Sequence, residues 1–206
     1  DFGHTHPFVA QWWAEDDDGR LFMYREIFMT KRLVEDHARD MLRAMTKPRN
    51  QYVKLDTDPE GLGPLADIDS GKRVWTEPEP FEIICDHDAE GRATLEKYLG
   101  RSTTAATKAV TEGIEAVQSR MRRAGDGRPR VVLLKDSLIE RDQDLVDRAR
   151  PTCTVEEIPG YVWDKVEGAN KKERPVKDKD DGMDTLRYIV AHRDLGPGMP
   201  GIRYTS

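Results

Sequence analysis

Residues 180 to 188 read Asp180-Asp181-Gly182-Met183-Asp184-Thr185-Leu186-Arg187-Tyr188, with acids crowded just ahead of an apolar stripe. From Met183 the apolar positions Leu186, Ile189 and Val190 recur at helical spacing, which puts Asp180 or Asp181 at the N-cap and Asp184 one turn further on. The acids then share one face. A helix N-terminus stabilises a carboxylate by under about 1 kcal/mol. Capping therefore accounts for one acid and leaves two surplus, and surplus carboxylates at one point are a donor set for a divalent metal. The competing reading is a capped, solvated helix.

Other residues invite chemistry less strongly. Asp86 closes the apolar run Phe81-Glu82-Ile83-Ile84-Cys85, the pattern of a buried strand whose last residue emerges at the carboxyl edge of a sheet, where open α/β sheets bind ligands. A strand-ending turn acid is the plainer alternative. Asp1 stands immediately before Phe2-Gly3, and Asp88 and Glu90 fit a helix cap better than a metal role. His4 and His6 flank a proline without further nearby ligands and read as a polar loop. Asp56-Thr57-Asp58-Pro59-Glu60-Gly61 has the start of a calcium loop, but a proline lies inside it and no exit helix follows. Trp12, Trp13, Tyr161 and Trp163 read as sheet core rather than base-stacking platforms.

Two basic clusters are candidates for phosphate contact. Arg120, Arg122, Arg123, Arg128 and Arg130 form one; Lys171, Lys172, Arg174, Lys177 and Lys179 form the other, directly before the acidic helix. Lys and Arg hold phosphates without reading sequence, so these predict weak, salt-sensitive, non-specific DNA binding, against the alternative of solvated faces. The formal net charge of −6 argues against a chain-wide grip on nucleic acid, so any contact is local.

The elements that must position these residues alternate between strand and helix. Residues 7 to 15 and 20 to 28 are aromatic and β-branched runs joined by Asp16-Asp17-Asp18-Gly19, a hairpin signal. Thr30 is expected to cap a helix over 31 to 45, with Leu33, Val34, His37, Ala38, Met41, Leu42 and Met45 in one stripe. A short strand is expected around Tyr52-Val53-Lys54-Leu55. Beyond Asp86, Glu90 to Leu99 reads as a helix closed by Gly100, and Thr111 to Arg123 as a helix closed by Gly125. Arg130 to Lys135 reads as a buried strand, Asp142 to Arg150 as a short helix, and Ile158 to Val166 as an extended segment. The last helix is expected to run to about His192, with an irregular tail over 194 to 206.

The 206 residues suffice for one large domain or two small ones; 37% hydrophobic and 35% charged residues predict a strongly solvated globular protein, and we read a single domain. Mean hydropathy is −0.75. No apolar run reaches the roughly 18 to 20 residues of a membrane span. Cys85 and Cys153 sit in unlike contexts, which favours free thiols.

Six blocks in this order carry a resemblance: Asp-Phe-Gly; Gly-Arg-Leu-Phe-Met-Tyr-Arg-Glu; Ile-Cys-Asp-His-Asp-Ala-Glu; Thr-Glu-Gly-Ile-Glu-Ala-Val; Glu-Glu-Ile-Pro-Gly-Tyr-Val-Trp-Asp; and Lys-Asp-Asp-Gly-Met-Asp-Thr-Leu-Arg-Tyr. Together they resemble the C-terminal nuclease domain of tailed-phage terminase large subunits, over nearly the whole chain. The resemblance implies an α/β, RNase H-like fold with a mixed central sheet flanked by helices. It implies a metal-dependent endonuclease that cuts concatemeric double-stranded viral DNA during packaging in the host cytoplasm. Asp1, Asp86 and Asp180 would hold two Mg2+ or Mn2+ ions, with Asp181 or Asp184 as auxiliary ligand. In the family a His often follows the acid aligned with Asp180, where this chain has Asp181, so either neighbour is a candidate. The DNA contacts would fall to Lys171, Lys172, Arg174, Lys177, Lys179, Arg122 and Arg123. The implied partners are double-stranded DNA, an N-terminal ATPase domain of the same full-length chain, the portal and the small terminase subunit, with no membrane.

Such a fragment is expected to lack part of its first strand. It contains no Gly-x-x-x-x-Gly-Lys-Ser/Thr loop, so ATP hydrolysis is not expected of this chain alone. Clustered acids repel, two unit charges at 4 Å costing about 4 kcal/mol at an effective dielectric near 20, so their pKa values are expected to rise without metal and fall on binding it. The alternatives are a non-catalytic docking module of a packaging motor, or another nuclease of the superfamily such as a junction resolvase.

Overall fold

The structure, a computed structural model, describes residues 6–55, 61–107, 109–161 and 179–196. Contacts within the chain group into two compact units, one of residues 1–8 and 29–105, the other of residues 9–28 and 106–206. The architecture is mixed α/β, with a small three-stranded mixed sheet and two separate two-stranded pairs among the described residues, where the sequence suggested one central sheet.

The second unit carries that sheet. Strands β1 (Phe8–Glu15) and β2 (Leu21–Met29) form the expected hairpin. Its turn is an Asx turn, with Asp16 Oδ1 accepting the Asp18 and Arg20 N–H groups at 3.1 and 2.8 Å.

The first unit follows. Helix α1 (Val34–Met45) buries His37, Ala38, Met41, Leu42 and Met45. Thr30 does not cap it. Lys31 adopts φ +59°, which breaks the helical path, and Leu33 occupies the cap position with no side-chain bond. Strand β3 (Thr46–Pro48), helix α2 (Pro64–Asp69) and strand β4 (Arg73–Trp75) come next, β3 and β4 pairing antiparallel. The strand expected around Tyr52 is a turn: Asn50 accepts the Tyr52 N–H on its side chain at 3.0 Å and the Val53 N–H on its carbonyl at 3.2 Å.

Strand β5 (Ile84–Cys85) is shorter than the apolar run suggested, and pairs in parallel with β6 (Thr104–Ala105) across helix α3 (Ala89–Leu99). Asp88 caps α3, accepting the Gly91 N–H at 3.0 Å. Gly100 ends it at φ +64°, its N–H returning to Glu96 O, a left-handed closure that Gly adopts without a Cβ clash.

Back in the second unit, helix α4 (Val110–Met121) stops before Gly125, because Arg122 turns extended and Arg130 N–H binds Arg120 O at 2.7 Å, pulling the chain back into strand β7 (Val131–Leu133). Strand β7 lies parallel to β2, Val131 facing Leu21 in register. Helix α5 (Gln143–Asp147) is capped by Asp142. The stretch expected to be extended from Ile158 instead continues helix α6 (Thr154–Glu157) as a single 3-10 turn, Ile158–Gly160; residues 162–166 lie outside the described residues.

Helix α7 (Asp181–Leu195) runs past His192 and packs on α4. Leu186 and Val190 sit fully buried with Leu21, Val117 and Val131, and Trp13, Leu133 and Ile189 flank them. The far ends of the two helices are tied by Arg120 on Asp194 at 2.7 and 2.8 Å. This core fixes the body of α7; its first turn buries Met183 and is held in addition by polar groups. Among the described residues no helix is long and apolar enough to cross a membrane.

Candidate functional site

The acids at the start of α7 take the positions the spacing predicts, but none is spent as the helix cap. Asp180 is the N-cap residue and makes no side-chain capping bond; its carbonyl accepts the Asp184 N–H at 2.7 Å, opening the helix. Asp180 and Asp181 are half-buried, whereas Asp184 is buried and its Oδ1 accepts Nε and Nη2 of Arg187 at 3.2 and 2.9 Å. Burial raises the Tyr161 phenol to about 12, and the charge of Asp184 adds to the rise.

The first turn is gripped directly by Gln11 on β1 and Glu157 on α6, and Glu26 on β2 holds the start of α6. Gln11, on β1, donates from Nε2 to the Gly182 carbonyl at 3.0 Å and to Thr154 Oγ1 at 2.6 Å. Its Oε1 accepts Trp13 Nε1 at 3.3 Å. An indole N–H only donates and a backbone carbonyl only accepts, so these partners fix which way the Gln11 amide points. Glu26, on β2, is fully buried and accepts the Thr154 N–H at 3.2 Å and the Thr154 hydroxyl, thereby capping α6 in place of Cys153. Glu157, at the end of α6, is 2% exposed, and its Oε2 accepts the Met183 N–H at 2.9 Å.

Gly182 is required where these meet. A Cβ there would collide with Thr154 Oγ1 and lie 3.0 Å from both Thr154 Cα and Glu157 Oε2. The two buried carboxyls both titrate above the ordinary carboxylate range. Burial raises Glu26, against the hydrogen bonds from Thr154 and Gln11. Burial raises Glu157 to about 9, with the negative charges of Asp181 and Glu26 adding to it and the Met183 and Gly182 N–H groups opposing. Glu157 is therefore protonated at neutral pH, and its Oε1 has no hydrogen-bond partner among the described residues.

The remaining predicted residues divide as follows. Asp86, in the first unit, follows β5, is half-buried, and accepts the His87 N–H on Oδ1 at 2.6 Å. Asp1, His4, the calcium-like segment 56–60, Trp163, and Lys171, Lys172, Arg174 and Lys177 lie outside the described residues. Lys179 is exposed, with φ +59°, immediately before Asp180. Arg122 and Arg123 are exposed beyond α4, while Arg120 and Arg130 are engaged with Asp194 and Asp126. Trp12 is core. Among the described residues no three His, Cys, Asp or Glu side chains gather as a metal-holding group.

Gln11, Glu26, Thr154 and Glu157 were missed from sequence. Glu26 left a signal, a lone carboxylate inside the run Leu21-Phe22-Met23-Tyr24-Arg25-Glu26-Ile27-Phe28-Met29. Glu157, beside Glu156, left none.

No family model matches the sequence, and no curated protein matches it. Solved structures do match in fold. The large terminase of a thermophilic bacteriophage, in complex with ATP-gamma-S, superposes with a TM-score of 0.57 at 17% identity, covering 93% of this chain and 38% of that one. A second crystal form of that terminase gives 0.57 at 17% identity, covering 93% and 37%. This chain thus spans little more than a third of the length of the terminase chains it matches, and at this identity the likeness is one of fold.

Proposed function

We propose that this chain is the nuclease portion of a large terminase, an RNase H-like, divalent-metal-dependent endonuclease that cuts concatemeric double-stranded viral DNA during genome packaging. The observation that carries the reading is the fold shared with a phage large terminase over 93% of the chain. The acid-bearing first turn of α7 supports it, because the backbone between Asp181 and Asp184 is held by buried polar groups that a solvated helix end has no need of.

The donors suit Mg2+ or Mn2+. Both are hard ions that prefer oxygen, and the turn offers the carboxylates of Asp180, Asp181 and Asp184. Asp1, Asp86 and Asp180 are the acids proposed to hold the ions, with Asp181 or Asp184 as auxiliary. Bound there, the ions supply a lowered water pKa and stabilise charge on the attacking and leaving oxygens of an in-line displacement. The chain's own share is to keep the α7 carboxylates at fixed positions and to hold DNA phosphates through exposed cations, Lys179 beside Asp180 and Arg122 and Arg123 beyond α4. ATP hydrolysis, and contacts with portal and small subunit, belong in this proposal to the longer protein, working in the host cytoplasm.

Plasmid nicking in Mn2+ tests the reading against Asp86→Ala and Asp180→Ala. The wild-type chain should nick and the variants should not. A folded wild-type chain that leaves plasmid intact with every divalent ion would instead be a docking module of the motor.

A further inference from the structure

We propose that Gln11, Glu26 and Glu157 are positioning residues, which set the first turn of α7 through its backbone and so fix where Asp180 and Asp181 project. This rests on the nuclease reading above and assigns work to residues outside the proposed metal-holding set.

The hydrogen bonds close a ring through α6, α7 and β1, with Glu26 on β2 joined to it at Thr154. Glu26 on β2 accepts the N–H and hydroxyl of Thr154 at the start of α6. The other end of α6 supplies Glu157, which accepts the Met183 N–H at 2.9 Å. Gln11 on β1 holds the adjacent Gly182 carbonyl at 3.0 Å and returns to Thr154 Oγ1 at 2.6 Å. One carbonyl and one amide on successive residues, clamped from opposite partners, leave the turn neither translation nor rotation without breaking a buried bond. An unmade buried bond of this kind costs about 1–3 kcal/mol. Apolar packing alone does not impose this: the Met183 side chain is buried and Leu186 and Val190 join the core cluster, but none of these side chains bonds the Gly182 carbonyl or the Met183 N–H.

The arrangement is costly as mere scaffolding, because two buried carboxyls are expensive where apolar side chains of similar size would fill the space. What the carboxyls accomplish that apolar groups do not is to address individual backbone atoms. The residues bearing those atoms, Gly182 and Met183, lie between Asp181 and Asp184. Groups that orient metal-holding residues without touching the ion typically contribute about 10-fold to 100-fold in metal affinity.

The test is a manganese titration of nicking by the full chain, with direct manganese binding measured in parallel. Gln11→Met and Glu157→Met keep the length of the side chain and remove the bonds. Each should raise the manganese midpoint about tenfold or more. Glu157→Gln, which retains a neutral acceptor for Met183, should restore it to within about twofold. Val190→Ala, a core truncation in the same helix, separates positioning from stability: it should lower the denaturation midpoint and leave the manganese midpoint unmoved. If Gln11→Met and Glu157→Met titrate with the wild type, or no further from it than Val190→Ala, positioning is wrong. A wild-type chain that neither nicks nor binds manganese sinks the nuclease reading instead, so the two failures are distinct.

Discussion

Arg187 reaches back one turn of α7 to Asp184, placing Nε at 3.2 Å and Nη2 at 2.9 Å from the same oxygen, Oδ1. The two side chains are 5% and 10% exposed, so the charges face each other with little water between them. In such a pair the removal of one partner strands the other, at a cost of about 3–5 kcal/mol. Arg187→Met and Asp184→Leu should each destabilise the second unit by about that amount, and the double variant should recover most of it. Urea denaturation across the double-mutant cycle is the measurement. A coupling energy within about 0.5 kcal/mol of zero would show the pair to be independent.

Gly182→Ala should destabilise although it adds a better helix former. Ala gains about 1 kcal/mol over Gly inside a helix, but here the new methyl collides with Thr154 and approaches Glu157 Oε2 to 3.0 Å. Overpacking of this kind costs about 1–3 kcal/mol, so the net change is a loss. Gly125→Ala is the comparison, because a Cβ there meets nothing within 4 Å. It should be neutral or slightly stabilising. Thermal denaturation of the pair decides, and equal midpoints would remove the steric argument.

What was legible in the sequence, and what was not, follows from where the information resides. The hairpin, α3 with its Asp88 cap and Gly100 closure, and the start of α7 were readable because local chemistry decides them: an Asx turn, a cap, a left-handed glycine. Thr30 failed as a cap because Lys31 takes a left-handed conformation, and Tyr52 failed as a strand because the Asn50 side chain captured its N–H. The grip on α7 joins Gln11, Glu26, Thr154, Glu157 and Gly182, residues up to 171 positions apart, and no spacing rule spans that distance. Only the misplaced charge of Glu26 in an apolar strand pointed to it.

If the chain binds DNA through its exposed cations, affinity should fall with salt, each phosphate contact contributing about 0.9 to the slope of log affinity against log salt. Arg122→Ala with Arg123→Ala should reduce that slope by up to about 2 and weaken all sequences alike, since phosphate contacts carry no base information. Lys179→Ala should reduce it by about 1. Fluorescence anisotropy with duplexes of different sequence measures both. An unchanged slope would take these residues out of the DNA path.

The first unit should weaken in mild acid because of His37. This side chain is fully buried on α1, stacks on Phe8 with ring centroids 3.9 Å apart and planes 6° from parallel, and neither ring nitrogen has a hydrogen-bond partner among the described residues. Burial lowers its pKa from 6.5 to about 4, the Arg32 charge lowering it further and Asp36 opposing. Between those values the folded chain keeps His37 neutral while the unfolded chain takes up a proton. The unfolded state then binds more protons, so stability rises with pH across this window. His37 imposes no penalty above about pH 6.5 and opposes folding progressively as pH falls toward 4, by on the order of 3 kcal/mol at most. His37→Phe keeps the stacking ring and cannot take up the proton, so it should flatten the acid limb. Amide exchange in α1 at pH 7 and pH 5 reads this out locally: the wild type should lose protection at pH 5 and the variant should keep it, whereas equal losses in both would place the acid sensitivity elsewhere.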